Sequence, residues 1–166
     1  KLPEGWKRVK LGEVIETNKY NVDINYPYKE ILYLDTGSIT KGRIENLQKF
    51  ALKNAPSRAK RLVKDNDIIY STVRPIQRHY GFISNPPKNL VVSTGFVVIE
   101  SNQEKASPKF LYYFLTLDEI VETLDTIAEG STSAYPSLRP SDIENLEILL
   151  PPLPEQKAIA SVLSSI

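Results

Sequence analysis

The densest run of side chains able to do chemistry extends from Pro56 to Tyr80. It opens with Pro56-Ser57-Arg58-Ala59-Lys60-Arg61, turns at Asp65-Asn66-Asp67, and continues as Ile68-Ile69-Tyr70-Ser71-Thr72-Val73-Arg74-Pro75-Ile76-Gln77-Arg78-His79-Tyr80. Cations flank an apolar strand core and are interleaved with hydroxyl, amide and aromatic groups, a mixture able to meet phosphates and base edges. Between Lys41 and Tyr80 ten basic residues stand against three acidic ones, a local net charge of +7. Between Ser101 and Ala160 four stand against ten, a net of −6, and the whole-chain balance of +1 conceals the contrast. A basic run is ordinarily a solvated face. Here, however, five of the ten cations are arginines. Arginine's planar fork suits phosphate and guanine edges, whereas solubility alone is served equally by lysine.

Three further segments carry polar groups in suggestive settings. Asp35-Thr36-Gly37-Ser38-Ile39-Thr40-Lys41-Gly42-Arg43 is a glycine-punctuated stretch, suited either to backbone approach to a ligand or to an ordinary connection between strands. Ser93-Thr94-Gly95 interrupts the apolar run Leu90 to Glu100; a glycine there marks either a strand bend or a wall where another group comes close. Ser131 to Pro140 is a hydroxyl-rich loop. His79 is the sole histidine, and without cysteine partners it reads as a surface or hydrogen-bonded residue rather than a metal ligand.

Enzyme chemistry finds little support. Asn85-Pro86-Pro87-Lys88 begins like the Asn-Pro-Pro-aromatic loop of adenine methyltransferases. A lysine stands where the aromatic must hold a flipped base, and no Gly-rich cofactor loop lies upstream, so the segment reads as a turn. Asp65 and Asp67 lack the lysine and acid partners of a nuclease. Neither a phosphate-binding loop nor an acyl-transfer nucleophile motif occurs. With no cysteine, disulfides and thiolate metal sites are excluded, which fits a cytoplasmic location.

The elements that must position these groups follow from periodicity. The 166 residues suit one domain, with no apolar run approaching a membrane span. Because the chain starts at Lys1 and contains no methionine, it is expected to be a piece of something longer. Residues 2–15 read as a short strand and helical turn anchored by Trp6, residues 17–29 as a loop, and Ile31 to Leu34 as a strand. Ile68 to Val73 is apolar on both faces and reads as a strand covered on both sides. Proline after Ser107 starts a helix whose apolar positions recur from Phe110 to Ile127, with Asp118, Glu119, Glu122 and Asp125 on the other side and Gly130 as its stop. Ser141-Asp142-Ile143 begins a helical turn, and Leu146 to Leu150 is the last strand. A final helix then begins near Leu153, with Ile159, Val162, Leu163 and Ile166 as a bare apolar stripe awaiting a partner helix.

Taken in order, Leu2-Pro3-Glu4-Gly5-Trp6-Lys7, Tyr33 to Ile39, Ser57 to Lys60, Asp67 to Pro75, Val92-Ser93-Thr94-Gly95-Phe96 and Leu149 to Gln156 resemble the specificity subunit of type I restriction-modification enzymes. The resemblance spans essentially the whole chain and matches one half of such a subunit. It implies an α/β (α+β-like) target recognition domain over residues 1–150, with a twisted mixed β-sheet and flanking helices. Residues 151–166 would start a long coiled-coil spacer helix, its interface made by Ile159, Val162, Leu163 and Ile166. It also implies a module with no catalysis and no cofactor of its own that reads half of a bipartite target in double-stranded DNA. Methyltransferase and restriction subunits, which use S-adenosylmethionine, ATP and magnesium, would bind elsewhere, and a second specificity half or a second copy would pair through the terminal helix.

On that reading Arg58, Lys60, Arg61, Arg74, Gln77, Arg78 and Tyr80 face the groove or flanking phosphates. Lys41, Arg43, Ser93, Thr94 and the loop Ser131, Thr132 and Ser133 line the same surface. A rival expectation is a protein-binding module that uses the acidic helix and the terminal stripe.

Overall fold

Two strands without a polar face set the frame. In the computed structural model, which describes residues 1–132 and 134–166, Ile68–Ser71 is buried throughout and Phe96–Ser101 everywhere except Glu100. Strands of this kind must be covered from both sides. In chain order the strands are β1 (Lys7–Lys10), β2 (Ile15–Thr17), β3 (Glu30–Leu34), β4 (Ile39–Thr40), β5 (Arg43–Ile44), β6 (Gln48–Ala51), β7 (Ala59–Leu62), β8 (Ile68–Ser71), β9 (Tyr80–Phe82), β10 (Leu90–Ser93), β11 (Phe96–Ser101) and β12 (Glu147–Leu150). The helices are α1 (Pro108–Leu115), α2 (Asp118–Glu129), α3 (Pro140–Glu144) and α4 (Leu153–Ser164).

The strands form an antiparallel sheet of order β2-β11-β8-β9 and a mixed sheet of order β6-β3-β10-β7, in which β3 and β10 run parallel. Ribbons β1-β12 and β4-β5 complete the β structure described. The expected α/β architecture with mixed pairing and flanking helices is present, with the strands divided between two four-stranded sheets and two ribbons.

Period-two alternation explains the layering. Ile69, Phe96 and Val98 from the first sheet meet Leu34, Leu90 and Val92 from the second. The intervening residues Ile68, Tyr70, Val97 and Ile99 face the opposite way, into a core shared with Leu111, Leu115, Val121 and Leu124 of α1 and α2. On the far side of the second sheet Ile31, Tyr33 and Val91 are roofed by Val22, Tyr26 and Phe50. Each fully buried side chain of this size contributes about 1.5–3 kcal/mol, so the register of the two sheets is fixed from within.

The helix expected to run unbroken to Ile127 is divided in two. Ser107 caps α1 by accepting the Phe110 N–H at 3.4 Å. At its other end the Tyr70 hydroxyl, buried in the core, donates to the Leu115 carbonyl at 2.9 Å, and the Thr116 hydroxyl donates to the Tyr113 carbonyl. These donors satisfy carbonyls that a continuing helix would use, and Asp118 and Glu119 then open α2 where its dipole favours acid. Among the described residues no helix is long and apolar enough to cross a membrane.

Candidate nucleic-acid interface

The strand registers bring distant segments to one end of the molecule. Val92 is level with Leu34 across the parallel pair, Ser93 with Ala59, Phe96 with Ser71, and Tyr70 with Tyr80. Residues 35–38, 56–58, 72–79 and 93–95 therefore leave or enter the sheets side by side. The β4-β5 turn joins them, because Lys41 N–H donates to the Arg78 carbonyl and Gly42 N–H to the Tyr80 carbonyl, both at 2.8 Å. The loop after α2 is pinned to the same end: Leu138 N–H donates to the Thr72 carbonyl at 2.8 Å and Arg74 N–H to the Pro136 carbonyl at 3.2 Å.

On this end lie Lys41, Arg43, Arg58, Arg74, Gln77 and Thr132, all exposed, with Thr94 and Ser131 half-buried. Lys60 is exposed just inside the start of β7. None of Lys41, Arg43, Arg58, Lys60 and Arg74 belongs to the ion pairs found among the described residues. The backbone is strained at the same place. Six described non-glycine residues have left-handed φ: three are asparagines, which tolerate it, and the others are Lys41 (48°), Arg74 (45°) and Arg78 (59°). Such outliers persist where the surrounding structure over-determines them, and they cluster at working sites.

Several expected contacts are corrected by the fold. Tyr80 is only 6% exposed and stacks on Tyr70 at 5.6 Å between ring centroids, so it packs the core instead of meeting a ligand. Ser93 is wholly buried; its hydroxyl accepts the Gly95 N–H at 3.0 Å and shapes the tight turn between β10 and β11. Arg78 is held at 3.2 Å from Asp118, its side chain 18% exposed, and so fastens the basic loop to α2. Arg61 is half-buried and donates to Asn21 at 3.3 Å, with desolvation drawing its guanidinium below its ordinary pKa. Ser133 lies outside the described residues. His79 keeps the hydrogen-bonded role expected of it, its Nδ1 lying 2.6 Å from the Ile39 carbonyl.

The sequence reading gave no individual role to three residues of the segments it singled out. Thr72 donates through its hydroxyl and its N–H to the Gly95 carbonyl, at 2.9 and 2.8 Å. Asp35 accepts the Thr36 N–H at 2.9 Å and the Tyr33 hydroxyl at 3.3 Å, which orders the start of the 35–38 segment. Burial, followed by the neighbouring Asp35 charge among the raising influences, pushes the Tyr33 phenol up. Thr36 itself abuts the turn at Gly95. The glycine between hydroxyls was a visible signal; the nearness of Thr36 and Thr72 follows only from the register.

The arrangement is one of exposed guanidinium and ammonium groups among hydroxyls and an amide, equipped to neutralise phosphates and hydrogen-bond to polar edges. Among the described residues no group of three His, Asp or Glu side chains is placed to hold a metal ion.

Comparisons with known proteins bear on this geometry. Residues 3–166 match the family model described as the type I restriction modification DNA specificity domain. The HindI specificity subunit of Haemophilus influenzae is 30% identical over 159 residues, which is 96% of this chain and 34% of that protein. The crystal structure of the HsdS subunit from Thermoanaerobacter tengcongensis superimposes with a TM-score of 0.85 at 33% identity, covering 99% of this chain and 42% of that one. The S subunit from M. genitalium, at 20% identity and a TM-score of 0.58, shares the fold. The chain thus spans about a third of the curated relative and under half of these solved subunits.

Proposed function

We propose a function from one premise: this chain belongs to the type I restriction modification DNA specificity family. It is a double-stranded DNA recognition module that reads one half of a bipartite target, while methylation and cleavage belong to other subunits that it directs to the site. The observation carrying this reading is the gathering of Lys41, Arg43, Arg58 and Arg74 at one strand end, exposed and outside the described ion pairs. Three segments apart in sequence supply charge of one sign to one face, as a phosphate backbone requires.

The methyltransferase subunits and, through them, the restriction subunits are the proposed protein partners. Residues 151–166 are read as the start of a spacer helix. In support, α4 turns Gln156 and Ala160 inward and leaves Val162 and Leu163 at 63% and 41% exposure, with Ile159 at the boundary and Ile166, two residues past the helix end, at 97%. Those side chains suit a second specificity half or a second copy of the chain.

Affinity for duplex DNA measured against salt tests the reading. Four or five phosphate contacts give a log-log slope of roughly −3 to −5, at about −0.9 per contact. A flat dependence would favour a protein partner for the same face. Methylation mapping in cells with and without the domain then identifies the half-site: a methylated sequence that comes and goes with the domain is the expected result.

A further inference from the structure

Arg58 differs from the other cations at this end in how it is held. Its carbonyl accepts the N–H of Thr94 at 2.9 Å and of Lys60 at 3.0 Å, so the backbone at this residue is clamped to the 93–95 turn on one side and to β7 on the other. Its guanidinium lies against the same turn. A Cβ placed on Gly95 would stand 2.7 Å from the Arg58 Nη2, 2.7 Å from the Thr36 methyl and 3.4 Å from the Ser93 hydroxyl. The absence of a side chain at position 95 therefore creates the shelf on which the guanidinium rests. That shelf is rigid: the Gly95 carbonyl takes both hydrogen bonds from Thr72, and the Gly95 N–H donates to the buried Ser93.

An arginine clamped at its backbone, with its guanidinium resting exposed on a rigid turn, is preorganised for a planar, bidentate partner. Phosphate also accepts the fork, but a point-charge lysine can serve it without preorganisation, whereas the paired acceptors of a guanine edge reward it. We infer that Arg58 is a base-reading residue of this module, directed at the O6 and N7 acceptors of a guanine in the major groove, and that Gly95 is its positioning residue. The inference rests on the DNA-reading function proposed above and names the side chain that supplies part of its selectivity. Gly95 has no left-handed φ, so an alanine there meets no backbone strain; its Cβ displaces the flexible tip of Arg58 and also crowds the Thr36 methyl.

The experiment uses the complete specificity subunit assembled with its methyltransferase, and selects from a randomised duplex library at fixed salt, with sequencing of the bound fraction. The wild-type selection should contain an invariant G·C pair in the half-site read by this domain. Arg58→Lys keeps the charge and should relax that one position by on the order of tenfold or more while leaving the salt slope unchanged. Gly95→Ala should relax the same position, with at most a small fall in melting temperature from the Thr36 contact. Weakening by either variant that is uniform over all sequences, or a guanine preference that survives Arg58→Lys, overturns the base-reading role while leaving DNA recognition intact. If Gly95→Ala fails to fold, Arg58→Lys alone decides. Absence of any enriched sequence with the wild-type complex would instead defeat the underlying proposal of DNA reading.

Discussion

Arg78 Nη1 lies 3.2 Å from Asp118 Oδ1, joining the strained loop after β8 to the first turn of α2. The two residues come from the basic and the acidic halves of the sequence, so the charge dipole is partly neutralised where the halves meet. Asp118 is 86% exposed, and a pair so open to solvent contributes at most about 1 kcal/mol to stability. Its larger effect is on the surface field, because it engages one arginine beside the others.

Asp118→Asn should therefore leave the fold nearly as stable and tighten DNA binding. At low salt the expected gain is a few-fold, with a salt slope steeper by up to about one unit as Arg78 becomes available, and the gain should vanish near 1 M salt. Titrations of labelled duplex with both proteins over a salt series check this.

Arg74 occupies the left-handed region at φ 45° with its side chain exposed. A non-glycine residue there costs about 1 kcal/mol. Arg74→Gly should raise stability to denaturant by up to that amount and weaken DNA binding several-fold. Opposite signs of the two effects, read from urea melts and binding titrations of the same protein, would mark strain kept for function.

Asp67 sits at the other end of β8, 3% exposed, its carboxylate accepting the Lys64 N–H at 2.8 Å. Desolvation pushes its pKa from 3.8 up to about 6. The folded state thus holds the proton more tightly than the unfolded chain, so this contribution to stability is present below pH 3.8 and is lost as pH rises through 6. Nearby Glu100 works in the opposite sense, its carboxyl held low chiefly by the hydrogen bond from Lys64. Asp67→Asn isolates the first effect. Relative to wild type it should gain stability between pH 4 and 7, by no more than about 3 kcal/mol, as read from denaturant midpoints across that range.

Gln156 is 1% exposed in the first turns of α4. Its Oε1 accepts the Ser107 N–H at 2.8 Å, and its Nε2 donates to the Pro151 and Lys105 carbonyls at 2.9 and 3.2 Å. The side chain binds the last helix to the start of α1. Gln156→Ala strands those backbone groups away from water and should cost about 2–4 kcal/mol in a urea melt. A loss under about 0.5 kcal/mol would show that α4 is not anchored through this residue.

What the sequence disclosed depended on the range of the determining contact. The double-sided burial of Ile68–Ser71 was legible because a strand apolar on both faces declares it within its own few residues. Arg58 and Arg74 were legible as exposed cations by type and local charge. The division between α1 and α2 was not, since it turns on the hydroxyl of Tyr70, 45 residues before the carbonyl it serves. Tyr80 and Ser93 were assigned to the surface because they follow basic or precede glycine-rich residues, whereas the pleat turns both inward. The pairing of Arg78 with Asp118 and the meeting of Thr36, Arg58 and Gly95 likewise require knowing which strands are neighbours.

The buried alternation of β3, β8, β10 and β11 fixes strand pairing well inside the molecule, while the segments that reach its basic end are carried on exposed tips. Exchanging side chains on those tips leaves the pleat beneath undisturbed. The surface of that end can thus be rebuilt in small steps without the protein having to learn again how to fold.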